Sequence, residues 1–341
     1  MRRRLYQGTE SADCLVGSWR AEELRGLAGD DRLFGRAGDD VLIGGRGDDR
    51  LDGGLGFDTA DYRRAVTGVI ADLTAGRASD GQGGTDRLVA IEALTGSAFD
   101  DTLIGSSGDN ALVGGDGQDI LAPGAGSDLV DGGAGFDYVD YRESALAVTV
   151  DLTLGFAFER SDMGGRDALV GIEGVYGSAF EDGMTAADGA VHFVGGDGYD
   201  DLVGGAGNDI LEGGDGADEL TGGRGADTLY GGRGADTFRF ADALDVGDRS
   251  DRTDMIVDFS QAEHDRINLA RIDADVTTDG QQAFTFIGDS GFSGTAGELK
   301  YAFVGDGQTV LMADVDGDAL ADGYIRLNGT IAFTADDFSP W

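Results

Sequence analysis

The chain has 341 residues, of which 62 are glycine and only two are proline, and its formal net charge at neutral pH is -40. Asp and Glu outnumber Lys and Arg by 65 to 25, so the chain repels polyanions and no nucleic-acid partner is expected. Cations must balance this charge, and metal ions are the simplest source. No stretch approaches the roughly 20 apolar residues of a membrane-spanning helix, so no transmembrane segment is expected.

The amino-terminal residues and the lone cysteine bear on how the chain is exported and on what cross-links its fold. Cys14 is the single cysteine, which excludes an internal disulfide framework and leaves metal ions to take the stapling role. The first residues are basic, but Gln7, Glu10 and Asp13 lie where a signal peptide needs an apolar run. We therefore expect no cleavable signal, so an exported chain would need its signal elsewhere.

A nine-residue period organises most of the chain. From residue 204 the sequence reads GGAGNDILE, GGDGADELT, GGRGADTLY and GGRGADTFR, which is the pattern G-G-x-G-x-D-x-U-x with U apolar. The same register extends without gaps over residues 8–61, 96–140 and 177–239. Repetition in phase predicts a solenoid in which each unit gives one loop and one three-residue strand, x-U-x. The U residues are expected to point inward, as at Leu33, Leu42, Leu51, Leu121, Leu202, Leu211, Leu220 and Leu229.

Two spacers that are copies of each other separate the repeat tracts. DYRRAVTGVIADLTAG in the first spacer matches DYRESALAVTVDLTLG in the second, and TDRLVAIEALTGSAFDD matches RDALVGIEGVYGSAFED. The turns between these segments, SDGQGG and ERSDMGG, differ in length, which loops tolerate. Each spacer is therefore predicted to form a hairpin-like excursion, at residues 66–73 and 147–152, followed by a return into the repeat.

The loops of the repeat carry oxygen ligands. Glycines at the first, second and fourth places are predicted to allow positive φ and to leave carbonyl oxygens uncrowded, while the sixth-place Asp supplies a carboxylate. Such donors fit Ca2+, which takes about six to eight oxygens, better than Mg2+ or Zn2+. Several Ca2+ ions are therefore the predicted cofactors. The candidate ligands are Asp31, Asp40, Asp49, Asp58, Asp101, Asp119, Asp128, Asp137, Asp200, Asp209, Asp218, Asp227 and Asp236, with Gly44, Gly47, Gly114, Gly117, Gly195, Gly198, Gly204, Gly207, Gly213, Gly216, Gly222 and Gly225.

This pattern closely resembles the RTX, or hemolysin-type, calcium-binding family over nearly the whole chain. The resemblance implies an all-β fold, a right-handed parallel β-roll in which two nonapeptides make one turn and ions lie between stacked loops. It also implies that each ion is held by loops two units apart. This pairs Asp31 with Asp49, Asp40 with Asp58, Asp119 with Asp137, Asp200 with Asp218, Asp209 with Asp227, and Asp218 with Asp236. Glu22, Asn110 and Val191 depart from the sixth-place Asp, and Val191 removes the carboxylate.

The last hundred residues follow a different pattern. DTFRF, DMIVDF, HDRINL, AFTFIG, DVDGDALADGYIRL and a final DDF occur in the order of the serralysin-type carboxyl-terminal domain, which they resemble. The resemblance implies a β-rich cap that carries an uncleaved signal for the type I secretion machinery, and hence a secreted, extracellular or cell-surface protein. The ending FSPW departs from the aliphatic ending of that family. Asp314, Asp316, Asp318 and Asp322 are predicted to form a tight acidic hairpin, with a calcium loop as the alternative.

The predicted organisation is thus three repeat tracts, two spacers and a carboxyl-terminal domain. The tracts are residues 1–61, 96–140 and 177–239, the spacers are residues 62–95 and 141–176, and the secretion and capping domain is residues 240–341.

Catalysis is not expected. The zincin signature H-E-x-x-H is absent, since His192 and His264 are the two histidines, and no G-x-S-x-G motif occurs. One alternative function is a glycan-binding module or adhesin that presents aromatic residues to extracellular polysaccharide. The candidates for such contacts are Tyr62, Tyr141, Phe57, Phe136 and Tyr199. Another alternative is an accessory carboxyl-terminal part of a larger RTX exoenzyme, either a protease or a polysaccharide-modifying enzyme.

Overall fold

The protein was analysed as a computed structural model, which describes residues 3–160, 165–186, 188–240 and 253–338. The described residues form β-strands and two short 3-10 helices, Gly305–Gly307 and Ala335–Asp337, which confirms the predicted all-β class. Within this part of the chain, no helix has the length and apolar character needed to cross a membrane. Most of the turn ERSDMGG in the second spacer and the last three residues of the ending FSPW lie outside the described residues.

The described residues contain 33 strands, most of which lie in the repeat tracts. Up to residue 176 they are β1 (Arg4–Gln7), β2 (Cys14–Val16), β3 (Glu22–Ala28), β4 (Arg32–Ala37), β5 (Val41–Arg46), β6 (Arg50–Leu55), β7 (Thr59–Asp61), β8 (Ile70–Asp72), β9 (Arg77–Ser79), β10 (Thr85–Val89), β11 (Ala93–Thr95), β12 (Thr102–Ser106), β13 (Ala111–Asp116), β14 (Ile120–Gly124), β15 (Leu129–Ala134), β16 (Tyr138–Asp140), β17 (Val148–Asp151), β18 (Phe156–Glu159), β19 (Arg166–Val170) and β20 (Gly174–Tyr176). Beyond it they are β21 (Gly183–Thr185), β22 (His192–Gly198), β23 (Asp201–Ala206), β24 (Ile210–Gly216), β25 (Glu219–Arg224), β26 (Thr228–Gly234), β27 (Thr237–Arg239), β28 (Met255–Ile256), β29 (Arg266–Asn268), β30 (Thr285–Phe286), β31 (Glu298–Val304), β32 (Gln308–Asp314) and β33 (Gly323–Asn328).

The chain divides into two compact units, which are described separately. Unit 1 comprises Met1–Ser144 and Gly155–Val175, and unit 2 comprises Ala145–Leu154 and Tyr176–Trp341. These units cut across the six segments predicted from sequence, whose boundaries remain a prediction about sequence pattern.

Unit 1 is built from two stacks of parallel strands. One stack has the order β1, β3, β5, β7, β11, β13, β15 and β19, and the other begins β2, β4, β6. Each regular strand pairs with the strand 18 residues away, as Leu24 does with Leu42 and Leu33 with Leu51. Two nonapeptides therefore make one turn, as expected for a parallel β-roll. The inward leucines predicted from the sequence are fully buried, which confirms their assignment to the core.

The strands are longer than the three residues predicted. β5 and β6 continue from x-U-x into the following Gly-Gly pair, so Gly45 pairs with Leu27 and Gly54 with Arg36. The glycines also play different roles. Gly45 and Gly47, at the second and fourth places, have φ of +108° and +128°, whereas first-place Gly44 does not have positive φ. A Cβ on Gly44 would instead collide with the Asp49 carboxylate, so the first glycine makes room for that group.

The first spacer stays within the stack. β10 pairs in parallel with β6, β9 runs antiparallel between β10 and β8, and β8 pairs in parallel with β12. The excursion is therefore inserted as extra strands, and the roll resumes on the far side. The inserted strands place Ala71 and Ala78 in the core where regular layers have leucine.

Unit 2 has the same design with an antiparallel sheet added. β17, β21, β23, β25, β27 and β29 form one parallel stack, and β22, β24, β26 and β28 form the other. β33 pairs with β28 and begins the antiparallel sheet β33, β32 and β31, with β30 at its edge. Stacking thus continues through β29, past the sequence boundary at residue 240. An aromatic cluster fills the sheet's core side: Phe259, Phe286, Tyr301, Phe333 and Phe338.

Candidate metal centre

A ladder of hydrogen bonds joins the sixth-place residues of successive turns. The backbone N–H of Asp31 donates to Oδ1 of Asp49 at 2.8 Å, and the N–H of Asp218 donates to Oδ1 of Asp236 at 2.9 Å. All six predicted carboxylate pairs are neighbours of this kind, with N to Oδ1 distances of 2.7 to 2.9 Å. The stacking therefore brings together the residues that the sequence paired.

The second oxygen of these carboxylates is buried without a hydrogen-bond partner. Oδ2 of Asp218 illustrates this: its residue is 1% exposed, and no donor in the described part of the chain reaches the atom. The same holds for Asp31, Asp40, Asp49, Asp58, Asp119, Asp128, Asp137, Asp200, Asp209 and Asp236. A buried polar atom without a partner costs free energy, and a carboxylate oxygen costs more than a neutral one. A bound cation would remove this cost.

The electrostatics of the loops point to the same need for positive charge. Burial, together with the neighbouring carboxylates of Asp218 and Asp182, raises the pKa of Asp200 to about 8. Burial likewise raises the pKa of Asp119 and Asp218 to about 7. Such shifts show that the loops disfavour ionised carboxylates when no cation is present. The candidate ligands are carboxylate and carbonyl oxygens, which are hard donors that suit Ca2+ better than a soft metal.

Loops with Ser or Thr at the second place behave differently. In the first loop of each tract, the backbone N–H and the hydroxyl of that residue both donate to the sixth-place carboxylate, as Thr9 does to Asp13 at 2.6 and 2.8 Å. Ser97 and Ser178 bond Asp101 and Asp182 in the same way. Asp101 was predicted as a ligand, but its second oxygen is already satisfied by protein. These loops are thus the weakest candidates for holding an ion.

Two loops in which another polar residue replaces the sixth-place Asp also supply that residue with hydrogen bonds from within the loop. Glu22 accepts bonds from the N–H and hydroxyl of Ser18, and Asn110 accepts from the N–H of Ser106 at 2.7 Å. Val191 has no carboxylate to accept a bond, but its backbone N–H still donates to Oδ1 of Asp209.

Four carboxylates in the spacers continue the ladder and were missed in the sequence. Asp86 and Glu92 accept the N–H groups of Asp49 and Asp58, and Asp167 and Glu173 accept those of Asp128 and Asp137. Only six residues separate Asp86 from Glu92, so the nine-residue register is lost there. The segment GQGGTDRLV retains a weak trace of the repeat, with Asp86 sixth and Leu88 eighth.

The ladder also extends into the carboxyl-terminal region of unit 2. The N–H groups of Asp227 and Asp236 donate to Asp254 and Asp265, at 2.9 and 3.0 Å. These acceptors lie in the segments DMIVDF and HDRINL, which the resemblance assigned to a separate domain. Asp182, also not predicted as a ligand, accepts the N–H of Val148 in the same way.

A further acidic cluster lies between β32 and β33. Carboxylate oxygens of Asp314, Asp316 and Asp322 come within 4.8 Å of one another. Asp314 accepts hydrogen bonds from the N–H groups of Gly317 and Ala319, at 2.7 and 3.0 Å, as in a tight hairpin loop. Asp316 and Asp322 are exposed.

The five aromatic residues considered for glycan contact differ in exposure, and Phe136 is half-buried. Tyr62 and Tyr141 are buried, and their hydroxyls donate to Asp86 and Asp167 at 3.0 and 2.8 Å, so both are structural. Phe57 and Tyr199 are exposed, with 41% and 47% of their surface accessible.

Comparison with known proteins agrees with these loops. The family model of the RTX calcium-binding nonapeptide repeat matches residues 24–60, 91–121, 124–139 and, in overlapping copies, 176–238. No protein of curated function matches the sequence. Two subunits of the mannuronan C5-epimerase from Azotobacter vinelandii are similar solved structures. The first is 32% identical with a TM-score of 0.33, and the match covers 45% of this chain and 78% of that subunit. The second is 27% identical with a TM-score of 0.29, and the match covers 48% of this chain and 89% of that subunit.

The extracellular lipase LipA of Serratia marcescens is a third similar structure. It is 20% identical with a TM-score of 0.28, and the match covers 73% of this chain and 40% of the lipase.

The chain belongs to the RTX calcium-binding repeat proteins. This follows from the nonapeptides recognised in the sequence, from their stacking two units per turn and from the buried carboxylates in their loops.

Proposed function

We propose that the chain is a secreted calcium-binding module whose β-roll folds when Ca2+ fills its loops outside the cell. The observation that carries this proposal is the row of buried Oδ2 atoms without hydrogen-bond partners in the loops of the eleven aspartates named above. In the proposed mechanism, Oδ1 of each sixth-place Asp fixes the preceding turn by accepting a backbone N–H from it. Oδ2 is left to hold the ion, together with loop carbonyls.

The charge of the chain explains why the ion would control folding. With a net charge of -40, the metal-free roll would confine repelling carboxylates in a thin core. A site at about 100 times its dissociation constant adds roughly 2.7 kcal/mol, whereas the low calcium of the cytosol adds almost nothing. The chain would stay unfolded until it reaches millimolar calcium outside the cell.

Replacing one ladder carboxylate tests the role of the loops. Asp218→Asn keeps the Oδ1 acceptor for the N–H of Asp200 but places an amide N–H2 where Oδ2 lay. We expect fewer bound Ca2+ ions per chain, by equilibrium dialysis, and a higher calcium midpoint for folding. Asp215→Asn in the same loop is the matched control, because that side chain is 57% exposed and should leave both values unchanged. Equal binding by wild type and Asp218→Asn would contradict the proposed role.

Export by a type I secretion system is the second part of the proposal. It is supported by the serralysin-like order of motifs in the last hundred residues. A secretion channel must thread an unfolded chain, and calcium gating would keep the repeats unfolded in the cytosol. Expression in a host with such a system should export the full chain but retain a version ending at Leu269, which preserves β28 and β29. Equal export of both would remove this part of the proposal.

A second candidate function is calcium-dependent binding of an extracellular polysaccharide, without catalysis by this chain. It is favoured by the exposed aromatic rings of Phe57 and Tyr199. Alginate immobilised on beads should retain the chain in calcium and release it in chelator, and Phe57→Ala with Tyr199→Ala should weaken retention. Conversion of the polysaccharide during the same incubation would instead indicate an enzyme. The upstream genomic sequence would show whether a catalytic domain precedes the chain.

A further inference from the structure

The first spacer replaces one loop of the roll with a different arrangement of acidic residues. Asp86 takes the ladder position, where its Oδ1 accepts the N–H of Asp49 at 3.1 Å. In a regular loop the other oxygen has no partner, but Oδ2 of Asp86 accepts the hydroxyl of buried Tyr62 at 3.0 Å. The ladder residue of the spacer has therefore lost the oxygen that a regular loop offers to an ion.

Asp80 supplies a replacement oxygen. Its side chain is 1% exposed, and its Oδ1 accepts the N–H groups of Gln82 and Gly84 at 2.7 and 2.8 Å. Its Oδ2 is buried and has no hydrogen-bond partner among the described residues. Leaving such an atom without a partner is costly, so its position needs an explanation.

The surroundings of this oxygen match those of a regular loop. A Cβ added to Gly84 would lie 3.0 Å from Oδ2 of Asp80 and would collide with the carbonyl oxygen of Gly47. In a regular loop, a Cβ on Gly26 would collide with Oδ2 of Asp31 and lie 2.6 Å from the carbonyl oxygen of Gly44. In both places a glycine leaves open a space lined by a carboxylate oxygen and a loop carbonyl of the facing turn.

Negative charge is concentrated around this space. Oδ2 of Asp49 is also buried without a partner. Asp86 accepts the N–H of Asp49 and the hydroxyl of Tyr62, so it brings a third carboxylate to the same place. Three carboxylates in so little solvent are stable together only with a cation or with protons.

The second spacer repeats the arrangement. Asp167 accepts the N–H of Asp128 at 3.0 Å and the hydroxyl of buried Tyr141 at 2.8 Å, while Oδ2 of Asp128 has no partner. Glu159 stands at the position of Asp80. Its longer side chain accepts the hydroxyl of Ser144 at 2.8 Å. The pattern of a ladder Asp, a Tyr donor and a second acidic residue is therefore kept in both copies.

We propose that the first spacer binds an additional calcium-type divalent cation where it meets the nonapeptide loop of residues 44–52, on the carboxylates of Asp49 and Asp80 and the carbonyl oxygen of Gly47. Tyr62 is a positioning residue that keeps Asp86 in the ladder and turns Asp80 into the ligand. The second spacer offers the equivalent place at Asp128 and Glu159. Each insertion is thus stapled to the roll by an ion, which explains how an irregular segment is tolerated inside a repeat.

The test is the calcium content of an Asp80→Asn variant, and it rests on the proposed calcium binding by the regular loops. Asn keeps the Oδ1 acceptor for Gln82 and Gly84 and turns Oδ2 into a donor, so the turn survives while the ligand is lost. We expect one Ca2+ fewer per chain than wild type, by equilibrium dialysis at saturating calcium, with an unchanged far-UV circular dichroism spectrum. Asp72→Asn is the matched control, because Oδ1 of Asp72 also holds a spacer turn, through the N–H of Ala75 at 2.8 Å.

The outcomes separate this inference from the proposed function. Wild-type chain that binds no calcium would contradict the proposed function itself. Wild type that binds several ions, with an Asp80→Asn variant that binds as many as Asp72→Asn, would overturn only the spacer site. If Asp80→Asn fails to fold, wild-type crystals soaked in Tb3+ decide the question. An anomalous peak beside Asp49 and Asp80 is expected, and peaks confined to the nonapeptide loops would overturn the inference.

Discussion

The repeats at residues 204–239 and the first spacer at residues 62–95 build the same hydrogen-bond ladder from different sequences. In the repeats, the N–H of Asp209 reaches the carboxylate of Asp227, 18 residues later, inside a Gly-Gly loop. In the spacer, the N–H of Asp49 reaches Asp86 after 37 residues. The comparison shows that a residue's place in the stack, and not its place in the nine-residue register, decides whether it joins the ladder.

The two regions differ in what fills the roll beneath the ladder. Leu211, Leu220 and Leu229 are fully buried in the repeats. In the spacer, β10 buries Leu88 beside Leu51, whereas β8 and β9 bury the smaller Ala71 and Ala78. The spacer adds instead a buried tyrosine hydroxyl bonded to a carboxylate. The repeats should therefore depend more on apolar burial, and the spacer more on polar contacts.

Acid should stabilise the metal-free chain in both regions, and this is the largest effect expected. Burial raises the pKa of Asp200 in the repeats and of Asp86 in the spacer to about 8, above the usual value of 3.8. Because folding raises these pKa values, the folded chain holds protons more tightly, and its stability rises as pH falls from about 8 towards 4. In calcium-free buffer, circular dichroism should show more β-structure at pH 5 than at pH 8.

Calcium should respond to pH in the opposite sense, because protons compete with the ion for the same oxygens. The calcium concentration that half-saturates the chain in equilibrium dialysis should thus be higher at pH 5.5 than at pH 7.5. Salt provides the control: 1 M NaCl at pH 8 screens exposed charges, yet it should not reproduce the effect of acid on buried ones. Identical spectra at pH 5 and pH 8 without calcium would rule out the buried carboxylates as the cause.

Truncating a core leucine should produce the next largest effect. Leu211→Ala removes a fully buried side chain from a layer of the repeats and should cost about 2 to 5 kcal/mol in calcium-saturated protein. Ile210→Ala is the control, since Ile210 is the adjacent residue in β24 and is 40% exposed. Urea denaturation in saturating calcium measures both. A loss for Leu211→Ala no larger than that for Ile210→Ala would refute the assignment of these leucines to the core.

Removing a spacer tyrosine hydroxyl should have a smaller effect. Tyr62→Phe leaves Oδ2 of Asp86 without its donor in a buried site, which should cost about 1 to 3 kcal/mol. Tyr141→Phe removes the equivalent bond to Asp167 and should behave alike. Tyr199→Phe, whose exposed hydroxyl bonds Glu219 at 3.2 Å, should change stability by no more than about 0.5 kcal/mol. Urea denaturation measures the free energy of unfolding of each variant. If Tyr62→Phe and Tyr141→Phe lose no more of it than Tyr199→Phe, the spacers do not depend on the tyrosine–aspartate hydrogen bond.

The nine-residue period predicted the inward leucines, and the resemblance to the RTX family, which rests on that period, predicted the parallel β-roll and the carboxylate pairs two units apart. The sequence could not predict the ladder roles of Asp86, Glu92, Asp167 and Glu173. The spacer turns are shorter than a nonapeptide, so the register that identified the other ligands fails there. Only the pairing of β10 with β6 shows that Asp86 lies beside Asp49.

The sequence also could not predict which carboxylate oxygens have hydrogen-bond partners. Asp101 and Asp119 occupy the same place in the pattern, but Ser97 donates to both oxygens of Asp101, whereas Oδ2 of Asp119 has no partner. The Ser at the second place of the loop carries this information, and it can be read only once the geometry shows which group its N–H and hydroxyl reach.

The central claim is that calcium completes the fold by occupying carboxylates that the roll buries. Circular dichroism of the full chain at pH 7.5, titrated from excess chelator to millimolar Ca2+, tests it most directly. We predict little β signal without calcium, a cooperative gain as calcium rises, and no comparable gain with Mg2+ at the same concentrations. A strong β signal in excess chelator that calcium leaves unchanged would contradict the claim.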